Sequence, residues 1–188
     1  MPKHTLRLHL MQERKALAPA AREEFDRLIQ KRFLESPLFA AAQRLALYAP
    51  VQGEVDTSVV FEVARDAGKT VFFPVVQGNS LVFRSVSTIL QLKRGTFGVL
   101  EPDDTCPAVD PCVADVVVVP GVGFDPAGTR IGYGKGYYDR SFHALEGSGR
   151  LAAFSYELQV VDSIAGEPHD VAVDWIFTET RTIRVSRT

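Results

Sequence analysis

The sequence has few cysteines, no long apolar run and no excess charge of either sign, and each shortage excludes a class of protein. Two cysteines, Cys106 and Cys112, are too few for a disulfide scaffold and favour a reducing compartment. No stretch of about 18 apolar residues could span a membrane as a helix. A net charge of −2, from 21 basic and 23 acidic residues, argues against a general nucleic-acid binder. We therefore expect a cytoplasmic protein with no membrane or nucleic-acid partner.

What the sequence does contain is an ordinary globular composition, with 46% apolar residues among 188. This length suits one domain, residues 1–188, whose core can be stable without disulfide bonds. Apolar residues recur at helical spacing in the first 35 residues, and short apolar runs alternate with helices further on. The predicted strands lie at Arg44–Tyr48, Val71–Val76, Leu81–Val86, Asp115–Pro120, Leu151–Tyr156 and Trp175–Thr178. This alternation predicts a single-domain, layered α/β fold with a mostly parallel central sheet flanked by helices.

Several helix boundaries follow from local signals. Ala18–Pro19 separates the first two helices, and Ser36–Pro37 is predicted to close the second. Asp56 or Thr57 can cap a third helix, which Gly68 would stop. The inward residues predicted for this third helix are Val60, Val63, Ala64 and Ala67. A further helix is predicted from about Gly136 to Leu145.

The most informative segment is rich in glycine, because six of the chain's 14 glycines lie between Gly121 and Gly136. It follows a valine-rich strand, precedes a predicted helix and contains Arg130 and Lys135. Glycines let backbone N–H groups turn toward an anion, and open α/β sheets bind ligands at the carboxyl ends of their strands. Neither the Walker A nor the G-x-G-x-x-G spacing occurs. From the residues alone, this is either a phosphate-binding loop of unassigned class or an ordinary surface loop.

Residues 120–140 read P-G-x-x-F-D-x-x-G-x-R-x-G-x-G-x-G-Y-Y-D-R. Further motifs follow one another at characteristic spacing: Lys3-x-x-Leu6-Arg7, Gly53-Glu54-Val55-Asp56-Thr57, Gly98-x-Leu100-Glu101-Pro102, Gln159 and His169-Asp170-x-x-x-Asp174-x-x-x-Thr178. Together they resemble the 5-formyltetrahydrofolate cyclo-ligase (methenyltetrahydrofolate synthetase) family over essentially the whole chain. The resemblance implies a Rossmann-like fold. Ala165 and Ala49 depart from the pattern, where proline and a larger apolar residue are expected.

The resemblance also implies an activity. Members convert 5-formyltetrahydrofolate and MgATP into 5,10-methenyltetrahydrofolate, ADP and phosphate, by transfer of the ATP γ-phosphoryl group to the formyl oxygen. The N10 amine then attacks the formyl carbon, and ring closure gains from proximity because both groups belong to one molecule. The protein's tasks are positioning and stabilisation of charge. We expect a monomer that binds ATP and the folate.

By resemblance, the ATP contacts come from the first helix and the glycine-rich loop. The expected ATP-binding residues are Lys3, Arg7, Arg130, Ile131, Gly132, Tyr133, Gly134, Lys135, Gly136, Tyr137 and Tyr138. Lys135, Arg130 and Tyr137 are also expected to act in catalysis. Lys3 and Arg7 lie four residues apart on one helix face, and without the resemblance they would indicate only a solvated basic face.

The folate contacts expected from the resemblance are Ala49, Glu54 and Tyr137. A carboxylate such as that of Glu54 suits the N–H donors of a pterin. In a loop, however, a glutamate is more often simply solvated. We expect Tyr137 rather than Tyr138 to face the ligand, since adjacent helix positions point in different directions.

Asp139 and Asp174 resemble the family's Mg²⁺ ligands, and hard carboxylate oxygens suit this ion. Taken alone, Asp139 could be a helix-start carboxylate and Asp174 a turn residue. Two other functions stay open: another nucleotide-dependent enzyme on the same scaffold, and a non-catalytic module that binds a phosphorylated ligand or RNA. A metal-positioning pair favours an enzyme, because a binding module does not need one.

Overall fold

The structure is a computed structural model that describes residues 2–95, 98–167 and 169–186. Its helices are α1 (Lys3–Ala16), α2 (Pro19–Leu34), α3 (Pro37–Ala41), α4 (Ser58–Asp66) and α5 (Tyr137–Phe142). Its strands are β1 (Arg44–Ala46), β2 (Thr70–Gln77), β3 (Ser80–Val86), β4 (Leu92–Arg94), β5 (Leu100–Pro102), β6 (Ala108–Val109), β7 (Val116–Val119), β8 (Gly123–Phe124), β9 (Arg130–Ile131), β10 (Leu151–Phe154), β11 (Trp175–Phe177) and β12 (Thr182–Arg184).

Eight of these strands form one sheet in the order β12-β11-β10-β7-β1-β2-β3-β6. The five central strands, from β11 to β2, are parallel, and β12, β3 and β6 add antiparallel edges. The predicted α/β fold with a mostly parallel sheet flanked by helices is thus confirmed. Within the described ranges, every helix is too short or too polar to span a membrane.

Strand β7 lies at the middle of the parallel part and is buried along its whole length. Val116 and Val118 belong to the apolar core on one face of the sheet, and Val117 and Val119 to the core on the other face. Side chains alternate along a strand, so a strand covered on both faces needs apolar residues at every position. The valine run meets this requirement, and the glycine-rich loop begins directly after it.

The core on the α2 face is built around Phe33. Its ring makes edge-to-face contacts with Phe39, Phe154 and Phe177, at centroid distances of 5.6, 5.1 and 5.3 Å. Such aromatic pairs contribute beyond the apolar area that they bury. This cluster fixes α2 and α3 against β10 and β11.

Two helix details differ from the sequence-based predictions. Ser36–Pro37 opens α3, an additional helix, because the Ser36 hydroxyl caps it by accepting the Phe39 N–H (3.2 Å). In α4, Val63 is 39% exposed and Phe61 is buried in its place. The Phe61 ring packs on Phe73 at 5.7 Å, and this contact sets the rotation of the helix. Ala67, also predicted to face inward, is exposed.

The glycine-rich loop folds into a small hairpin, β8 paired with β9. Helix α1 packs directly against it, and a side chain at Gly123 would force the Leu10 side chain to move. A Cβ at this position would lie 2.4 Å from the Leu10 side chain. Glycine at 123 therefore lets α1 approach closely enough for its polar face to reach the carboxyl edge of the sheet.

Phe33→Ala tests the aromatic core. Phe33 is fully buried and contacts three other rings, so we expect a loss of about 3–5 kcal/mol in the free energy of unfolding, from lost transfer energy and the cavity left behind. Urea denaturation would measure it. The matched control is Leu90→Ala, because Leu90 is 82% exposed, and its loss should stay within about 0.5 kcal/mol. Equal losses in the two variants would contradict the assigned core.

Candidate functional site

A cavity of about 1140 Å³ opens at the carboxyl edge of the sheet. Its volume exceeds the roughly 300–1,000 Å³ of a pocket for one small ligand. The walls come from α1, the loop after β1, the β2–β3 hairpin, and the chain from β9 into α5. Every predicted site residue except Asp174 lines it: Lys3, Arg7, Ala49, Glu54 and all residues from 130 to 139.

The lining has two chemical characters. Helix α1 and the glycine-rich loop contribute cations, whereas β2, β3 and the segment before β5 contribute apolar side chains. The cations are Lys3, Arg7, Arg130 and Lys135, and the apolar wall includes Pro74, Val76, Leu81 and Val99. A cavity of this kind suits a phosphate-bearing group at one wall and a flat, largely apolar ring system at the other.

Backbone conformation shapes the cationic wall. Gly134 and Gly136 have φ values of +88° and +63°, in the left-handed region where a side chain is strained. Lys135 lies between them and is exposed at the cavity. Arg7 ties α1 to the same loop, because its Nε donates to the Gly132 carbonyl (2.7 Å).

Two of the cations are already paired with carboxylates. Arg130, whose side chain is only 6% exposed, donates to Asp139 at 2.5 Å and to the Pro120 carbonyl at 3.3 Å. Lys3 lies 2.5 Å from Asp170. These contacts hold the two cations in place at the cavity wall, and an entering phosphate would compete with the carboxylates for them.

Glu167, His169 and Asp170 bring three possible metal-ligand atoms within 4.8 Å of one another at the cavity wall. The Lys3 ammonium already lies against this group, 3.4 Å from Glu167 as well as close to Asp170. The group therefore neutralises Lys3 in this conformation.

Both adjacent tyrosines border the cavity, and the expectation that Tyr137 rather than Tyr138 faces the ligand stays a prediction. Tyr137 and Tyr138 both line the cavity, because they occupy the first two positions of α5, where the helix starts inside the wall. Tyr137 lies near the turn of the β2–β3 hairpin, with Arg140 over its ring at 5.4 Å. Tyr138 also packs against Phe142 at 5.9 Å.

The structure does not bring Asp139 and Asp174 together. Asp139 lines the cavity near the end of β7, whereas Asp174 accepts the Leu151 N–H (3.0 Å) at the start of β10. Starts and ends of parallel strands lie at opposite edges of a sheet, and a four-residue strand spans about 10 Å or more. Mg²⁺ binds its ligands at about 2 Å, so one ion cannot touch both carboxylates in this conformation. Metal binding itself stays a prediction.

Glu54 is a buried carboxylate at the cavity, 7% exposed. Its Oε2 accepts the Val51 N–H (2.9 Å), whereas Oε1 accepts no hydrogen bond from the described residues. Burial raises the pKa of Glu54 to about 7, although Arg14 and the Tyr133 hydroxyl oppose the shift. A buried oxygen without a donor is costly, and a ligand N–H would satisfy it.

Two buried charged residues near the site were missed. Glu101, 8% exposed, lines the cavity and accepts the Val76 N–H (3.1 Å), and it belongs to a motif that had been noted without a role. Arg14 is 1% exposed, on the stripe that also carries Leu10 and Leu17. An arginine at helical spacing between two apolar positions is the signal that could have revealed it.

A basic, glycine-rich loop at the carboxyl edge of a parallel sheet, beside an apolar wall, defines an α/β protein of the type that binds its ligands at this edge. Comparisons with known proteins identify the family within this class. The pattern of the 5-formyltetrahydrofolate cyclo-ligase family matches residues 1–179. The chain therefore belongs to this family, and the resemblance seen in its motifs is confirmed.

Individual relatives cover nearly the whole chain. The 5-formyltetrahydrofolate cyclo-ligase of Mycolicibacterium smegmatis is 30% identical, over 96% of this chain and 95% of the relative. The Escherichia coli protein of the same name is 26% identical, over 92% and 97%. The NMR structure of Aquifex aeolicus 5,10-methenyltetrahydrofolate synthetase gives a TM-score of 0.89 at 31% identity, over 100% of this chain and 95% of that one. The synthetase from Mycoplasma pneumoniae gives 0.76 at 27% identity, over 95% and 99%.

The raised pKa of Glu54 predicts how stability depends on pH. The group binds a proton up to about pH 7 when folded but only to about 4.5 when unfolded, so its stabilising contribution is lost as pH rises through this window. Glutamine does not titrate in this range. Between pH 4.5 and 8 we therefore expect the free energy of unfolding of Glu54→Gln to rise by about 3 kcal/mol relative to that of wild type. Urea denaturation at both pH values would measure it. A difference between the two proteins that does not change with pH would contradict the assignment.

Proposed function

We propose that this protein catalyses the ATP-dependent cyclisation of 5-formyltetrahydrofolate to 5,10-methenyltetrahydrofolate, with release of ADP and phosphate. The observation that carries the proposal is the double character of one cavity, in which a cationic glycine-rich loop stands beside an apolar wall and the buried carboxylate of Glu54. Family membership supports the same reaction, since the relatives are named for this ligase and for the corresponding synthetase.

The chemistry requires two ligands in contact. Transfer of the γ-phosphoryl group forms a bond from phosphorus to the formyl oxygen and breaks the bond to ADP. Attack by N10 then forms the second C–N bond of the new ring, N10 loses its proton, and phosphate leaves with the former formyl oxygen. Phosphoryl transfer needs cations around the moving group, and ring closure needs the folate held so that N10 faces the formyl carbon.

The positions of the side chains support the proposed roles. Lys135 and Arg130 would stabilise the charge on the transferred phosphoryl group, with Lys3 and Arg7 contacting the other phosphates from α1. Their common place on one cavity wall supports this assignment. Tyr137 lines the same cavity and would stack on the folate or bond to it.

Glu54 and Ala49 would bind the pterin. The Oε1 atom of Glu54 accepts no hydrogen bond from the described residues, which supports its role as an acceptor for pterin N–H groups. Ala49 lines the cavity beside it and leaves more room there than a larger side chain would.

We further propose that Mg²⁺ accompanies the ATP phosphates. Asp139 fits this role best among the predicted ligands. It lines the cavity, and its two hydrogen bonds, from Arg130 and from the Val171 N–H, both end on Oδ1. No described residue donates to Oδ2, which is therefore open to a hard cation. When bound, the ion would neutralise phosphate charge.

The expected cytoplasmic location and monomeric state complete the proposal. Cys106 and Cys112 are both free thiols, which supports a reducing compartment. Size-exclusion chromatography with light scattering would test the monomer.

The direct test mixes the protein with MgATP and 5-formyltetrahydrofolate and follows the near-ultraviolet absorbance of the methenyl product. We expect ADP release only when both substrates are present, in a one-to-one ratio with the product. ATP hydrolysis that is independent of the folate would favour another nucleotide-dependent enzyme. No turnover and no ATP binding would overturn the proposal.

Lys135→Ala should lower turnover by about two to three orders of magnitude, the usual cost of removing one preorganised charge from a transition state. The protein should remain folded, because Lys135 is exposed. Assays of ADP formation, quenched at timed intervals, would measure the loss of turnover. The control is Lys31→Ala on α2, whose side chain is 58% exposed and pairs with Glu35. Near wild-type turnover in Lys135→Ala would remove this residue from the site.

Glu54→Gln should weaken folate binding and leave ATP binding almost unchanged. Loss of a charge-assisted contact to the pterin should cost about 1.5–3 kcal/mol, or about ten- to hundredfold in affinity. Calorimetric titration of each ligand would measure it, with Glu62→Gln on α4, whose side chain is 44% exposed, as the control. Equal losses for both ligands would mean that Glu54 supports the fold or the nucleotide instead.

A further inference from the structure

The β2–β3 hairpin extends past its neighbours in the sheet and forms part of the cavity. In the described part of the chain, β1 pairs with β2 only as far as Phe72, and β6 pairs with β3 only at Phe83 and Arg84. Residues 74–82, the projecting end of the hairpin, therefore have strand partners only within the hairpin itself. A two-stranded hairpin alone is marginally stable in water. The residues of the apolar wall that lie in this projecting end are Pro74, Val76 and Leu81.

Side chains from outside the hairpin hold its projecting end. Glu101 accepts the Val76 N–H (3.1 Å) on β2. At the turn, Arg140 of α5 donates from Nε and from Nη2 to the Asn79 carbonyl, at 3.1 and 2.7 Å. The same Nη2 donates to the Lys135 carbonyl at 3.0 Å. One planar guanidinium thus bridges the hairpin, which carries the apolar wall, and the glycine-rich loop, which carries cations.

The surroundings of Arg140 fit this bridge. Gly136 has a φ of +63°, and a Cβ at this position would lie 2.8 Å from Arg140 Nη1, so glycine makes room for the guanidinium. The guanidinium lies over the Tyr137 ring, 5.4 Å from its centroid. The buried rings of Phe142 and Phe83 join α5 to β3 separately, at 5.4 Å. Because this contact does not involve Arg140, we expect the fold to persist without the guanidinium.

Arg140 lines the cavity, yet its partners differ from those of the other cations there. Lys3 and Arg130 are paired with carboxylates, whereas within the described ranges Arg140 makes no ion pair and donates to backbone carbonyls. A cation at this wall has two uses, as a charge that attracts phosphate or as a bridge. The direction of its donors toward two separate segments favours the bridge.

We propose that Arg140 is a positioning residue that fixes the hairpin against the glycine-rich loop and thereby couples the binding of ATP to the binding of the folate. This rests on the proposed function, in which the loop binds the ATP phosphates and the folate lies against the apolar wall. A ligand that orders one of the two bridged segments also orders the other. The second ligand then binds with a smaller loss of conformational freedom.

The test measures the dissociation constant of 5-formyltetrahydrofolate by calorimetry, with and without a saturating, non-hydrolysable ATP analogue and Mg²⁺. In wild type we expect the analogue to tighten folate binding about tenfold, within the usual range for two coupled sites. In Arg140→Gln the factor should fall to about twofold or less. The midpoint of urea denaturation should change little, because Arg140 is exposed. An unchanged coupling factor in Arg140→Gln would overturn the proposal.

Arg140→Lys distinguishes the bridge from a phosphate contact. Lysine keeps the positive charge but lacks the planar fork that reaches two carbonyls, so we expect it to lose the coupling as glutamine does. If lysine restores the coupling and the KM for ATP, Arg140 acts as a charge on the phosphates and the bridging role is wrong. The lysine variant also decides the test if Arg140→Gln fails to fold.

Arg150→Gln is the matched control. Arg150 also bridges two backbone carbonyls, those of Cys112 and Ala114, but it lies at the opposite edge of the sheet, at the start of β10. Its removal should leave the coupling factor as in wild type. Equal loss of coupling in Arg150→Gln and Arg140→Gln would show a general effect on the fold and would overturn the proposal.

Wild type separates this inference from the proposed function. If wild type neither binds ATP nor converts the folate, the proposed function is wrong, and the role of Arg140 is wrong with it. If wild type converts 5-formyltetrahydrofolate but the coupling factor does not differ between wild type and Arg140→Gln, only the role of Arg140 is wrong.

Discussion

A parallel strand must be covered on both faces, and β7 meets this requirement at the centre of the sheet. Its four valines divide between two apolar cores, one beneath α2, α3 and α4 and the other beneath α5. Because β7 is fixed from both sides, the chain leaves the sheet at a defined point, and the glycine-rich loop starts there. The position of every cation in that loop therefore depends on the packing of the strand.

Two of the cations at the cavity are paired with carboxylates before any ligand enters. Arg130 is paired with Asp139 and Lys3 with Asp170, in contacts that are mostly shielded from water. Ion pairs of this kind contribute little net stability, because desolvation offsets most of the attraction. They do keep cations at a buried wall without leaving charge uncompensated. A phosphate can then replace a carboxylate as the partner of a cation, with little change in the amount of charge that is buried.

The layers and the loop could be predicted from the sequence because their signals are local. Valine runs, glycine clusters and helical periodicity each reflect the backbone requirements of a few neighbouring residues. The rotation of α4 could not be predicted, since it depends on the contact of Phe61 with Phe73. The separation of Asp139 from Asp174 likewise depends on the edge of the sheet at which each residue lies. Resemblance to the motifs of a family does not reveal this position.

The same limit applies to the buried charges of the site. Resemblance identified Glu54 and the loop cations, because these belong to recognisable motifs, but it was silent about Arg14. A guanidinium beneath a loop is visible in the sequence only as a polar interruption of an apolar stripe. Its partners, Gly121 and Tyr133, lie more than a hundred residues away, so pairing them requires the folded chain.

The contact between α1 and the segment around Asp170 has a consequence for synthesis of the protein. Lys3 and Asp170 are separated by 167 positions and meet at the same cavity wall. A nascent chain on the ribosome therefore carries Lys3 without its carboxylate partner until the segment around residue 170 has emerged. The part of the cavity wall that this ion pair forms can therefore be completed only after residue 170 has been synthesised.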